Sequence, residues 1–348
     1  MTQKNETAVL FLTLLITLGL VGGVYFWLAR NMNVKFVSSS SNSSQQSSQL
    51  SPKANEETLA QVQNVPSGLF RYGGSTTWAP IRREVDSAIK TVLPKYQISY
   101  TDPISGTPGS GSGIRMLLDN QLAFAQSSRS LEPQEHQIAQ QKGFTLKEIP
   151  IAIDGIAIAV HPNLNISSLT IEQLKQIYTG KITNWQQVGG PKLPIKPYSR
   201  RLEDGGSVEF FSKNILEQEK FGSNVQFIFN TTAALRQIAQ NEGSIYYASA
   251  PEVISQCTVK TLPIGRKASE VFAPHQEPSE TKSQCPQQLN QINQEAFQSG
   301  KYPITRRLFV IVKQNGQIDQ QAGEAYARLL LTDQGQALIS QSGFVRIK

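Results

Sequence analysis

Cysteine, histidine and clustered charge are scarce in this chain, and each scarcity removes a class of function. The 348 residues hold two cysteines, Cys257 and Cys285, and three isolated histidines, His136, His161 and His275. A structural or catalytic metal needs several such ligands at close spacing, so no metal and no cofactor are expected. The histidines read as surface or structural residues. The formal charge is +7, yet the arginine pairs Arg82-Arg83, Arg200-Arg201 and Arg306-Arg307 are scattered. Nucleic-acid binding would call for a basic stripe interleaved with aromatics, and none is present. An exported phosphatase would need a metal cluster or an activated nucleophile with its base. No His/Asp grouping supplies either, so the chain does not read as an enzyme. No internal repeat stands out.

What is present begins with an uncharged run from Ala8 to Ala29, AVLFLTLLITLGLVGGVYFWLA. At 1.5 Å per residue such a run spans a hydrocarbon core of about 30 Å, with Tyr25 and Trp27 near one end as interfacial aromatics. A cleaved signal peptide has a shorter apolar region and a small-x-small cleavage site. Residues 1–30 are therefore expected to be a transmembrane anchor, with a signal segment as the alternative. Orientation is weakly encoded, because Lys4 lies on one side and Arg30 and Lys35 on the other. Residues 31–65 are rich in Ser and Gln and read as a flexible linker, unable to bury enough apolar area to order itself. In an exported protein, two cysteines in one polar, loop-like region suggest a disulfide, Cys257 to Cys285.

From about Val65 onward, strand patterns alternate with helical ones. LFRYGG (69–74), QISYT (97–101) and LAFAQSS (122–128) read as strands, as does much of 143–162. Ile81, Val85, Ala88, Ile89 and Val92 recur at helical spacing, and a second helix is marked by Ile114, Leu117 and Leu118. LTIEQLKQIYTG (169–180) reads as a helix stopped by Gly180. GGSVEFFSKNIL (205–216) and Glu324 to Ile339 read as two more, and YPITRRLFVIV (302–312) as a strand. This alternation implies an α/β fold with mainly parallel sheets.

Three strand-to-helix turns share one composition: Gly74-Ser75-Thr76-Thr77, Gly109-Ser110-Gly111-Ser112-Gly113 and Asp204-Gly205-Gly206-Ser207. The first turn of a helix presents unpaired N–H groups and a partial positive charge, so it attracts anions. Glycine admits close approach, and hydroxyls add donors. The second turn has P-loop spacing from Gly106 to Gly111, but Ser112 and Gly113 replace the Lys and Ser/Thr that would grip a nucleotide. Each turn alone is also what an ordinary N-cap looks like. Three of them, with Arg129 and Arg201 nearby, suggest a pocket for a small oxyanion, whose oxygens a guanidinium fork can match.

The segments GSTTWAPI (74–81), SGTPGSGSGIRMLLDNQLAFAQSSRSL (105–131), LTIEQLKQIYTGKITNWQQVGG (169–190), SRRLEDGGSVEFF (199–211) and GSIYYAS (243–249) stand in one order. In that order the body from 66 to 348 resembles the phosphate-binding proteins of bacterial phosphate ABC transporters. The resemblance implies a two-lobed periplasmic-binding-protein type II fold with the ligand between lobes. Lobe one would be 66–154 plus 306–348, and lobe two 155–305. Carried over position by position, it implies that inorganic phosphate is held by Thr76, Thr77, Trp78, Ser110, Ser112, Gly113, Ser128, Arg129, Arg201, Gly205, Gly206 and Ser207. Ser112 leads in the second loop, with Ser110 its less certain neighbour. It further implies an extracytoplasmic monomer, tethered to the membrane, that delivers phosphate to an ABC permease. An anchored sensor of phosphate or another oxyanion such as sulfate, with no permease, is the alternative. The family's pocket aspartate, which accepts the proton of hydrogen phosphate, is replaced by Ser128. A serine of the second-domain loop is replaced by Gly205. Asp154 and Asp204 are the available stand-ins for the aspartate.

Overall fold

A computed structural model of the chain describes residues 57–202, 205–276 and 290–347. The expected anchor or signal segment at 1–30, the linker up to residue 56, Asp204 and Cys285 lie outside the described residues. Cys257 is not a free thiol. Among the described residues no helix is long and apolar enough to cross a membrane.

The folded body begins earlier than its composition suggests. Leu59 is fully buried and Val62 nearly so, both in one apolar core. The backbone N–H of Glu57 donates to Asp333 Oδ2 at 2.9 Å and that of Leu59 to Gln334 Oε1 at 3.0 Å. A polar segment with two apolar residues on one side of a short turn gains enough from their burial to dock. The linker therefore does not run to 65.

The strands are β1 (Gly68–Gly74), β2 (Tyr96–Tyr100), β3 (Phe124–Ser127), β4 (Thr145–Val160), β5 (Leu169–Thr170), β6 (Lys196–Ser199) and β7 (Gln226–Phe227). They continue with β8 (Ser244–Ser249), β9 (Lys260–Leu262), β10 (Ile264–Lys267), β11 (Glu270–Phe272), β12 (Thr305–Gln314) and β13 (Val345–Arg346). Among the described residues a ten-stranded sheet runs β2-β1-β3-β12-β4-β8-β6-β7, with β9 and β13 also on β4, and β11-β10-β5 form a smaller sheet. The pairings are mixed rather than mainly parallel. β1 is parallel to β2 and β3, and β6 is parallel to β7 and β8. β12 and β4 enter antiparallel between these groups. Two short parallel groups thus flank an antiparallel middle.

The middle is built around β4. From Thr145 to Gly155 this strand pairs with β12, and from Ile156 to Val160 it pairs with β8. The exchange of partner falls at Gly155, where a Cβ would lie 2.2 Å from the Phe297 ring, so only glycine fits. Three apolar clusters are present among the described residues; a small one around Ile114, Leu117 and Ile311 lies on the β3 and β12 side, and the two large ones divide at the same place. One gathers Leu59, Trp78, Phe124, Leu308 and Tyr326 with others from 59–152 and 308–344. The other gathers Ile158, Tyr178, Trp185, Phe211 and Phe297 with others from 156–304, and it also takes Val345 of β13.

The helix Ala79–Val92 buries Ile81, Val85 and Ile89, four residues apart, against the first core. The apolar pattern from Glu324 to Ile339 is two helices rather than one, Ile318–Leu331 and Asp333–Gln341. Thr332 divides them: its backbone is extended and its hydroxyl accepts from Gly335 N at 3.0 Å, a strong N-cap.

Candidate anion site at three helix starts

The three glycine turns meet. All follow the carboxyl ends of strands in the parallel groups, the usual position of ligand sites in open α/β sheets. A Cβ built on Gly113 would lie 2.4 Å from Gly74 Cα, so the helix Ser110–Leu118 seats its first turn directly on the end of β1. A Cβ on Gly206 would lie 2.4 Å from Ser128 Oγ and 3.5 Å from Ser110 Oγ. Gly205 stands at φ 134° as the N-cap of the helix Gly206–Asn214, a conformation open to glycine and costly for other residues. The start of this helix also nears the second turn, Gly205 Cα lying 3.9 Å from a Cβ position on Gly109.

Ser75, Ser110 and Ser128 are fully buried. Ser75 Oγ donates to Ser128 Oγ at 3.0 Å, Ser110 and Ser128 share a hydroxyl bond of 3.2 Å, and Ser128 N donates to Ser110 Oγ at 3.0 Å. This cluster is neutral and rich in donors. Behind it, Arg82 Nη1 donates to Ser75 O at 3.1 Å and to Gln126 Oε1 at 3.0 Å, fixing the first turn. Tyr326 and Tyr72 both donate to Asp86, whose carboxyl burial raises above the ordinary range while those hydrogen bonds act the other way.

Below the hydroxyls lies a buried ion pair. Asp154 and Arg306 face each other across the β4–β12 ladder, their side chains 0% and 2% exposed. Arg306 Nε donates to Asp154 Oδ2 at 2.9 Å, and Ser249 Oγ donates to Asp154 Oδ1 at 2.7 Å. The rest of the fork reaches into the turns. Nη1 donates to Gly206 O at 2.8 Å, and Nη2 donates to Thr77 Oγ1 at 3.0 Å and to Ser207 Oγ at 2.9 Å.

The residues expected at the site divide accordingly. Thr77, Ser110, Ser128, Gly206 and Ser207 are brought together, with Gly113 and Gly205 as the close-packed backbone that allows it. Thr76 is exposed, its Oγ1 3.6 Å from a Cβ position on Gly205. The indole of Trp78 is core, with Nε1 donating to Ser127 O at 3.1 Å, and its backbone N–H reaches back to Ser75 O at 3.3 Å. Ser112 is turned away from the cluster: its hydroxyl donates to Gly109 O at 3.0 Å and accepts from Gly109 N at 2.9 Å. The leading serine of the second turn is thus an N-terminal cap, and Ser110 is the one in the cluster. Arg129 is clamped by Glu135 through Nη1 at 3.0 Å and Nη2 at 2.8 Å, with Glu209 3.9 Å from its Nε. Burial raises the Glu209 carboxyl above its ordinary range, and Arg129 pulls it back. Arg201 is exposed, and Arg200 is the residue whose Nη1 comes within 3.8 Å of a Cβ position on Gly205. Asp154 is fully engaged by Arg306 and Ser249.

Arg306, Ser75 and Ser249 were not expected at the site. Their signal was modest but real for one of them. Arg306 shares a strand face with Leu308, Val310 and Val312, all fully buried. A lone charge in phase with core residues announces a buried partner, and Asp154, alone within IAIDGIAIAV, is its counterpart. Among the described residues no grouping of His, Cys, Asp and Glu is fit to hold a metal.

Comparison with known proteins agrees with this architecture. A family model described as a PBP superfamily domain matches residues 38–334. The Phosphate-binding protein PstS of Staphylococcus epidermidis is 25% identical over 282 residues, covering 80% of this chain and 78% of the relative. That of Staphylococcus haemolyticus is 24% identical over 276 residues, covering 78% and 79%. A phosphate ABC transporter substrate-binding protein from Clostridium perfringens, solved with bound phosphate, superposes with a TM-score of 0.64 at 25% identity. It covers 81% of this chain and all of that one. An ABC-type phosphate transport receptor from Vibrio cholerae shares the fold at 20% identity, with a TM-score of 0.61. The chain has the α/β periplasmic-binding-protein-like fold and belongs to the PBP superfamily.

Proposed function

We propose that this protein binds inorganic phosphate at the meeting point of its three helix starts and presents it to an ABC permease on the outer side of the cytoplasmic membrane. It acts by binding and is not an enzyme. The observation that carries the reading is the convergence of the turns at Gly74, Gly109 and Gly205 around Ser128. Helix starts and hydroxyls gathered in this way supply the kind of donors that a tetrahedral oxyanion requires. Phosphate is the ligand in the name of the Staphylococcus relatives and in the C. perfringens structure. The two large cores mark two lobes that close on the ligand, about 59–154 plus 306–344 and 155–305, moving about the partner exchange at Gly155. Thr77, Ser110 and Ser128 bind from one lobe and Gly206, Ser207 and Arg200 from the other. Contacts present only in the closed state drive such closure. Residues 1–30 anchor the protein, and Cys257 pairs with Cys285.

Calorimetry with phosphate on the full chain tests the site. Ser110→Ala and Arg200→Ala should each weaken binding at least tenfold, about 1.4 kcal/mol, whereas Ser112→Ala and Arg201→Ala should change it less than threefold. The reverse ranking would move the site to the exposed arginine and the capping serine.

A further inference from the structure

Thr77 and Ser207 come from turns on opposite sides of the partner exchange, and both hydroxyl oxygens contact the same nitrogen. Arg306 Nη2 donates to Thr77 Oγ1 at 3.0 Å and to Ser207 Oγ at 2.9 Å. A guanidinium carries donors only and stays protonated in proteins, so each hydroxyl must use a lone pair toward it. Each therefore keeps its own hydrogen for a different acceptor. Ser112 is the contrast, because its hydrogen is already directed at Gly109 O at 3.0 Å.

We infer that Arg306 is a positioning residue for the anion site: it sets the donor sense of the Thr77 and Ser207 hydroxyls, one from each side, before any ligand arrives. The inference rests on the anion-binding reading and deepens it. Asp154 is the counter-ion, with Oδ2 2.8 Å from Nη2 and 2.9 Å from Nε. The pair contributes little net charge to the pocket, so its effect passes through the two hydroxyls rather than through attraction at a distance. Nη1, held by Gly206 O at 2.8 Å, fixes the plane of the fork against the start of the helix Gly206–Asn214. A rigid fork can serve both hydroxyls at once. An ammonium, a point charge on a flexible stem, cannot hold that arrangement.

The test is a set of double-mutant cycles read by phosphate calorimetry on the full chain. Arg306→Gln with Asp154→Asn removes both charges together, so no uncompensated buried ion remains. This pair should bind phosphate at least tenfold more weakly than the parent. In a Thr77→Val or a Ser207→Ala background the same pair should cost only about threefold, because one of its two routes is already gone. Arg306→Lys, which keeps the charge, should follow the same pattern and serves if the neutral pair folds poorly by urea titration without phosphate. An equal loss in the parent and in both single backgrounds would overturn the inference, as would no loss at all. If Thr77→Val and Ser207→Ala themselves leave affinity unchanged, the anion site is elsewhere and both readings fall. A loss on those two with no coupling to Arg306 overturns the positioning role alone.

Discussion

Arg129 and Arg306 both lie beside the glycine turns, and the molecule uses them in opposite ways. Glu135 takes both Nη atoms of Arg129, a bidentate, partly buried pair with side chains 17% and 14% exposed. Such a pairing leaves the face of the fork that would grip a ligand already filled. Asp154 sits on the Nε–Nη2 edge of Arg306, 2.9 Å and 2.8 Å from those atoms, while Nη1 still donates to Gly206 and Nη2 to Thr77 and Ser207. The direction of the pairing, more than nearness in sequence to a helix start, decides which arginine reaches the hydroxyls of the turns.

Removing the two carboxylates should separate these cases most sharply. Asp154→Ala strands a buried guanidinium and should cost about 3–5 kcal/mol of stability in urea unfolding. Glu135→Ala, at the better-solvated pair, should cost about 1–2 kcal/mol. Equal costs would mean that Arg306 reaches water and that the two sites are alike.

A second break acts on the contact between the two sides. Gly206→Ala drives a methyl against Ser128 Oγ, at 2.4 Å in the present geometry. Phosphate affinity should drop at least tenfold by calorimetry, and Ser128→Ala in the same chain should recover part of that loss by removing the obstructing oxygen. No recovery would place the clash elsewhere.

The smallest effect is one of pH, at the surface. Burial holds the Glu209 carboxyl above its ordinary range. The folded chain then binds more protons than the unfolded one between the ordinary and the raised values, so this group makes stability fall as pH rises through that window. Glu209→Gln should flatten that slope in urea titrations run across acidic pH. A slope unchanged by the substitution would assign the dependence to another group, with Asp86, also raised by burial, the next to replace.

Much of this architecture is legible in the sequence, and the losses have physical causes. The helix Ala79–Val92 and the strand Thr145–Val160 stand out because each puts a long, regular pattern of apolar residues on a buried surface. The three glycine turns are legible as well, since glycine before a helix start is a local requirement. What sequence does not carry is which member of a local group faces inward. Ser110 and Ser112 are two residues apart in one turn, and only tertiary packing sends the first to Ser128 and the second back to Gly109. Arg200 and Arg201 differ in the same way. The mixed sheet was hidden because the antiparallel pairing of β4 with β12 joins segments about 150 residues apart, and no local pattern reports a partner at that distance.

That distance also shapes how the chain is made. β3 and the first part of β4 are synthesised well before the strand that lies between them, β12. Until it does, two apolar strand edges stand open, and open edges of this kind are where chains aggregate. Pairing across so long a loop is also slow. The first core, with the turns at Gly74 and Gly109, therefore completes only once Thr305–Gln314 has been made. A chain truncated before Thr305 should be trapped with those edges exposed.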